Sequence, residues 1–272
     1  MALVLNQQVE TTIPIKVKGI TPDRLAGKST NEIAKTSIWH GRQEVELGSL
    51  FSISGSLDDH TIVWEGHLKS VHQIGAAMQA GVMRIATEAG RHVGSQMSGG
   101  EIIALSDVSD FLGAEMTGGL IRAQGNAGDS VGGNYPGSKS GMNRGTILIG
   151  GNVGKGVGQS MRRGTIVVKG NTAVLPGWNM RAGTLLVLGE CGSDVGAGMT
   201  RGTIAIAGQL HSNLLPTFIK GGTQRVPVLQ MLGNWLVNQK FDFDAAVLKA
   251  NFQTFHGDQL MGGRGEVFIA QP

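Results

Sequence analysis

The sequence holds little with which to do chemistry. Among 272 residues there is a single cysteine, Cys191, which excludes a disulfide framework and a thiolate metal cluster and fits a reducing compartment. Aromatic residues are only 5% and charged residues 16%, and a net charge of +3 without a large basic cluster gives no footing for nucleic acid. No run approaches the ~20 apolar residues that cross a bilayer, and no basic-plus-apolar leader opens the chain, so no membrane partner and a cytoplasmic location are expected. Glycine is abundant, at 44 residues, but it does not recur at every third position, which excludes collagen.

What the sequence has instead is a period. Methionines followed three residues later by glycine stand at Met78, Met97, Met116, Met142, Met161, Met180 and Met199, with steps of 19, 19, 26, 19, 19 and 19. A glycine also precedes each by three, at Gly75, Gly94, Gly113, Gly158, Gly177 and Gly196. In the odd copy this glycine is Gly132, and seven extra residues within GNYPGSKSGM separate it from Met142. Self-similarity at a fixed step is the mark of stacked repeats.

The glycines three after each Met, namely Gly81, Gly100, Gly119, Gly145, Gly164, Gly183 and Gly202, serve as origins. Two and four positions later come pairs such as Ile147 and Ile149, or Ile166 and Val168, the alternation of a strand with one buried face. Glycines close each run after about six residues, and interior glycine at about 1 kcal/mol apiece excludes a helix. A second apolar column, twelve after the origin, contains Val93, Leu112, Val131, Val157 and Val195. Nineteen residues hold two or three short strands and no crossover helix, so each unit must stack on its copies to bury its inward face.

The expected fold is therefore all-β: a right-handed parallel β-helix of about 19-residue coils, each rising about 4.8 Å, with short helical caps at both ends. Its hand is taken from the crossover rule for parallel strands. The origin glycines mark corners that need positive φ or close approach. Asn126, Asn152 and Asn171, seven after the origin, suit left-handed corners and an amide ladder.

The expected division is an N-terminal cap and leading strand over 1–60, the β-helix over 61–222, and a C-terminal helical cap and tail over 223–272. Thr21 reads as an N-cap with Pro22 at the first helical position, and residues 47–55 read as the leading strand. Residues 226–237 and 241–252 read as helices over the far end.

Catalytic candidates are thin. AGKS at 26–29 resembles the tail of a phosphate loop, but Pro22 stands where its first glycine belongs. GGNVGKGVG at 150–158 lacks the aspartates of calcium-binding repeats. Of seven histidines only His72 and His92 fall on adjacent coils, and no carboxylate pair recurs beside them, so no metal site is expected. The acidic cluster of a polysaccharide-cleaving β-helix is missing. One constellation stands out: Arg144, Arg162, Arg163, Arg181 and Arg201 lie in the two positions after the repeating Met. Stacked coils would align them as a basic stripe about 15 Å long, either a partner-facing surface or a track for a polyanion, since guanidinium grips carboxylates well.

The repeats G-x-x-M-x-x-G-x-[IL]-x-[IV], the insertion ending at 141–142, the leader PDRLAGKSTNEIAKTSIWHG with LGSLF, and the tail HGDQLMGGRGEVFI together resemble the C subunit of formylmethanofuran dehydrogenase and of the bacterial formyltransferase/hydrolase complex. The repeats alone also resemble the C-terminal domain of the glutamate synthase large subunit, which keeps a freestanding domain of that type as an alternative. The resemblance implies a scaffold beside subunits A, B and D in tetrahydromethanopterin-linked one-carbon metabolism. It implies a metal-dependent hydrolytic site in the A subunit and formyl transfer in the D subunit. The B subunit holds a tungsten or molybdenum pterin in the dehydrogenases, and methanofuran or methylofuran carries the formyl group. The resemblance assigns no catalytic residue, cofactor or metal to the C subunit itself. The carriers bear glutamate-rich tails, which makes the arginine stripe a candidate guide for that tail.

Overall fold

A computed structural model describes residues 2–271. The period is visible in its strand pairing. The N-terminal part comprises β1 (Leu3–Gln7), β2 (Ile15–Lys16), α1 (Pro22–Leu25), α2 (Thr30–Ala34), β3 (Ser37–His40), β4 (Gln43–Glu46), β5 (Phe51–Ser54), β6 (Thr61–Gly66) and β7 (Val71–His72). One strand per repeat follows: β8 (Val82–Ile85), β9 (Glu101–Ala104), β10 (Leu120–Ala123), β11 (Thr146–Ile149), β12 (Thr165–Val168), β13 (Thr184–Val187) and β14 (Arg201–Ile206). The C-terminal part contains β15 (Ile219–Gln224), α3 (Pro227–Asn238), β16 (Phe252–Gly257) and β17 (Arg264–Ala270).

The chain is mostly β and is built on one large mixed sheet, with β2, β3, β4 and β7 forming a second, four-stranded one. Within the large sheet the strands from β1 through β6 and β8 to β14 and on to β17 pair in parallel. Register is kept without a slip, so that Ile147, Ile166, Leu185, Ile204 and Val267 form one line of residues with no exposed surface. A second column of parallel bridges, eight after the origin, links Ala89, Val108, Ala127, Val153, Thr172, Cys191 and Leu210. The register holds because a one-residue shift would turn every inward side chain to the other face.

Glycine and methionine spacing has a common cause. All seven repeat methionines are fully buried. The methyl of Met161 lies 2.8 Å from the place a Cβ on Gly183 would occupy, and Met142 stands in the same relation to Gly164 at 2.6 Å. Each methionine thus fills the volume that the next glycine leaves empty. The origin glycines share positive φ, from +81° at Gly100 to +105° at Gly164.

Four expectations are corrected. Asn126, Asn152 and Asn171 are not left-handed, and their ladder is not amide to amide: each side-chain oxygen accepts from the backbone N–H seven after the next origin, Asn152, Asn171 and Glu190, at 2.8 Å. Asp107 begins the series by accepting from Asn126 N–H at 2.7 Å. Carboxylate and amide oxygens serve equally as acceptors here, so asparagine was not required. Thr21 stands at the N-cap of α1 with Pro22 first in the helix, as expected, but its side chain makes no capping bond; the side-chain cap is on the next helix, α2, where Ser29 forms a reciprocal box with Glu32. Residues 51–54 form a strand, but it runs antiparallel on the outer side of β1, which is the true first rung.

The fourth correction concerns the C-terminal part. Residues 241–252 are not a helix: a short 3-10 turn occupies Ala245–Lys249 and β16 begins at Phe252. Nor does α3 cap the far end. Its buried Leu229 and Leu236 join Leu148, Val167, Leu186 and Ala205 in a separate core on the outer face of β11 to β14. That explains why the middle residues of these strands are apolar, against simple alternation. Arg122 on β10 fastens the end of α3, donating to the Gln239 carbonyl at 3.0 Å and to its side chain at 2.6 Å while pairing with Glu101 at 2.8 Å. The tail then returns, and β17 adds the last parallel rung beside β14.

Candidate functional site

The loops after the repeating methionines are held in step by backbone bonds. Arg162 N–H donates to the Met142 carbonyl, Arg181 N–H to Met161 and Thr200 N–H to Met180, each at 2.8 Å. With every methionine sunk in the core, the residues just after it must point outward, one rung above another. Arg162, Arg163, Arg181 and Arg201 are accordingly exposed and line one groove of about 1050 Å³. Lys139, from the insertion, and Arg264, from β17, complete its basic lining. Arg144 is exposed but does not line the groove.

Among the described residues no ion pair engages any of these cations. Like charges at neighbouring rungs repel by about 1 kcal/mol per close pair even in water, and an anion laid along them converts that repulsion to attraction. Asn134 and Ser138 of the insertion and the half-exposed Trp178 add polar and flat surface to the walls.

The insertion is anchored by its own aromatic. Tyr135 leans on His92 and Phe111 with ring centroids 5.5 and 5.3 Å away, and its hydroxyl lies 3.0 Å from His92 Nδ1. Its N–H donates to Glu115. His72 Nδ1 accepts from Arg91 N–H at 2.9 Å. Burial, reinforced by neighbouring positive charge, holds both His72 and His92 below the usual histidine range. The two histidines are therefore packed, hydrogen-bonded neutral rings. Among the described residues no group of three or more His, Cys, Asp or Glu is placed to hold a metal ion. Burial pushes the Cys191 thiol up to about 11, against a weak opposing bond from Thr172, which leaves no thiolate at neutral pH.

No family model matches the chain. The structure superposes on a chain of the formyltransferase/hydrolase complex from Methylorubrum extorquens, solved with methylofuran. The TM-score is 0.91 at 30% identity, covering 99% of this chain and 100% of that one. The chain belongs to the C-subunit family of formylmethanofuran dehydrogenase. Named relatives include the C subunit of the tungsten-containing formylmethanofuran dehydrogenase 2 of Methanothermobacter thermautotrophicus, 32% identical over 95 residues, which is 34% of this chain and 35% of the relative. The C subunit of the molybdenum-containing dehydrogenase 1 of Methanosarcina barkeri is 39% identical over 95 residues, 34% of this chain and 32% of that one. The aligned stretch thus spans about a third of these two relatives' length.

In this member of the C-subunit family, sequence reasoning missed Lys139 and Arg264 as groove residues. Lys139 carried no periodic signal because it belongs to the insertion. Arg264 did carry one: RGEVFI at the tail repeats the pattern of RGTIAI at 201–206, and Gly265 pairs with Gly202 as the next origin. No helix of the described residues is long and apolar enough to cross a membrane.

Proposed function

We propose that this chain is the non-catalytic, scaffolding C subunit of a cytoplasmic formyltransferase/hydrolase complex, acting with subunits A, B and D in tetrahydromethanopterin- and methylofuran-linked one-carbon metabolism. The observation that carries the reading is the end-to-end superposition on a chain of such a complex at 30% identity. The uninterrupted parallel register supports a right-handed parallel β-helix, a rod whose rigidity suits it to position other polypeptides. Exposed Val228, Met231 and Trp235 on the outer side of α3 support contact with a neighbouring polypeptide.

In this reading the chain holds no cofactor of its own. The metal ions belong to the A subunit, and the arginine groove guides the anionic tail of the formyl carrier. A second reading makes this chain the C subunit of a tungsten or molybdenum formylmethanofuran dehydrogenase, favoured by the names of the two relatives above.

Co-expression of the other subunits with and without this chain tests the proposal. Assembly and formyl-group turnover are expected only with the chain present, and the purified chain alone is expected to turn over nothing. Full assembly and activity in its absence would contradict it. Pterin-bound metal in the purified complex decides between the two readings.

A further inference from the structure

A second basic groove lies near the N-terminal end, sharing no lining residue with the arginine groove. Its volume is about 680 Å³ and its cations are Lys16, Lys18, Arg24 and Arg42, with Trp39 and Gln73 as further walls. Among the described residues none of the four takes part in an ion pair. Two carboxylates stand on the same small sheet: Glu44, which pairs across from Trp39 and accepts from the Ser37 hydroxyl, and Glu46, which pairs across from Ser37.

Its geometry selects among anions. Ile15 to Lys18 alternate buried and exposed, which leaves Lys16, at the end of β2, and Lys18, in the turn that follows it, exposed together. Alternate side chains of an extended chain project from one side about 6.6 Å apart, within reach of two such neighbouring lysines. Lys16 lies directly opposite Trp39 in the ladder, and Trp39 is 49% exposed, a flat apolar surface beside the charges. Of the backbone donors nearby, Val17 N–H is engaged by the His72 carbonyl, Ile20 N–H by Val17 and Gly41 N–H by Pro14.

We infer that this groove binds an extended acidic peptide segment through alternate carboxylates on Lys16 and Lys18, flanked by Arg24 and Arg42 and packed on Trp39. The inference does not depend on the role given to the arginine groove.

The test uses the full chain in a background with Arg162, Arg163 and Arg181 changed to Gln, so that the other groove cannot mask the result. The probe is a fluorescein-labelled (Glu-Ser)4 peptide, read by anisotropy at low and high salt. Binding that weakens with salt, falls about tenfold with Lys16→Gln plus Lys18→Gln, and falls also with Trp39→Ala is expected. The isomer (Glu-Glu-Ser-Ser)2 is expected to bind more weakly. Unchanged affinity in the lysine variant, or equal affinity of the two peptides, overturns the proposal. So does displacement of the peptide by inorganic phosphate at matched charge, which would make the groove a simple anion site. Circular dichroism of each variant separates misfolding from lost binding; should Trp39→Ala unfold, Trp39→Leu takes its place.

Discussion

The methyl of Met161 stands where a side chain on Gly183 would begin, 2.8 Å from the ideal Cβ position, and the Gly164 carbonyl closes the other side at 3.0 Å. Gly183 also has φ of +104°, a conformation that L side chains rarely adopt. Two independent constraints therefore act on one residue.

Gly183→Ala is expected to destabilise the chain by about 3 kcal/mol, combining backbone strain with overpacking. Met161→Ala should cost about 2–5 kcal/mol through the cavity it leaves. The double variant should cost less than the sum of the two, because removing the methionine relieves its share of the clash and leaves the strain and the Gly164 carbonyl contact. Urea unfolding of the four proteins checks this; strict additivity would show that the two residues do not share space.

Arg122→Ala removes the half-buried guanidinium that joins Glu101 to the end of α3. A loss of about 1–3 kcal/mol is expected, with faster hydrogen exchange at Trp235 to Gln239 than in the rungs beneath. Equal exchange in variant and parent would mean that the apolar seam of Leu229 and Leu236 holds the helix alone.

Stability is expected to fall as pH drops through about 6.5. His72 and His92 are depressed in the folded state, so between their folded and unfolded values the unfolded chain binds more protons. Their contribution is complete above the unfolded value and lost below it. Glu32, held low first by its bond from the Ser29 backbone, loses its contribution at more acidic pH, below the ordinary 4.5. Changing both histidines to Gln should flatten the slope below about pH 6.5 in thermal melts, and an unaltered slope would place the acid sensitivity elsewhere.

Neutralising Arg162 and Arg181 with Gln should leave the fold intact and raise its melting temperature slightly at low salt, an effect that vanishes at high salt, because the guanidiniums repel without paired partners. The same variant should bind methylofuran more weakly and with a smaller salt dependence. A drop in stability would show that these side chains make structural contacts instead.

Much of this was legible because the repeat writes one physical constraint many times. The methionine step and the alternating apolar pairs gave the ladder, its register and the neighbouring arginines. The C-terminal part was harder to read. FDFDAAVLKANF has the spacing of a short helix, yet its last residue, Phe252, is drawn into a strand by hairpin pairing with β17, which follows outside the segment. The outer core of Leu148, Val167 and Leu186 was written as three apolar middle residues, a departure from alternation that signals a covered outer wall. Asn126, Asn152 and Asn171 were read by residue type, whereas their role needs only an oxygen at the right height, as Asp107 shows.

Native mass spectrometry of the complex captured through a tag on this chain tests the central claim most directly. A hetero-oligomer containing three further subunits, one of them the metal-bearing hydrolase, is the predicted result. Recovery of this chain alone, or only with copies of itself, would contradict the account.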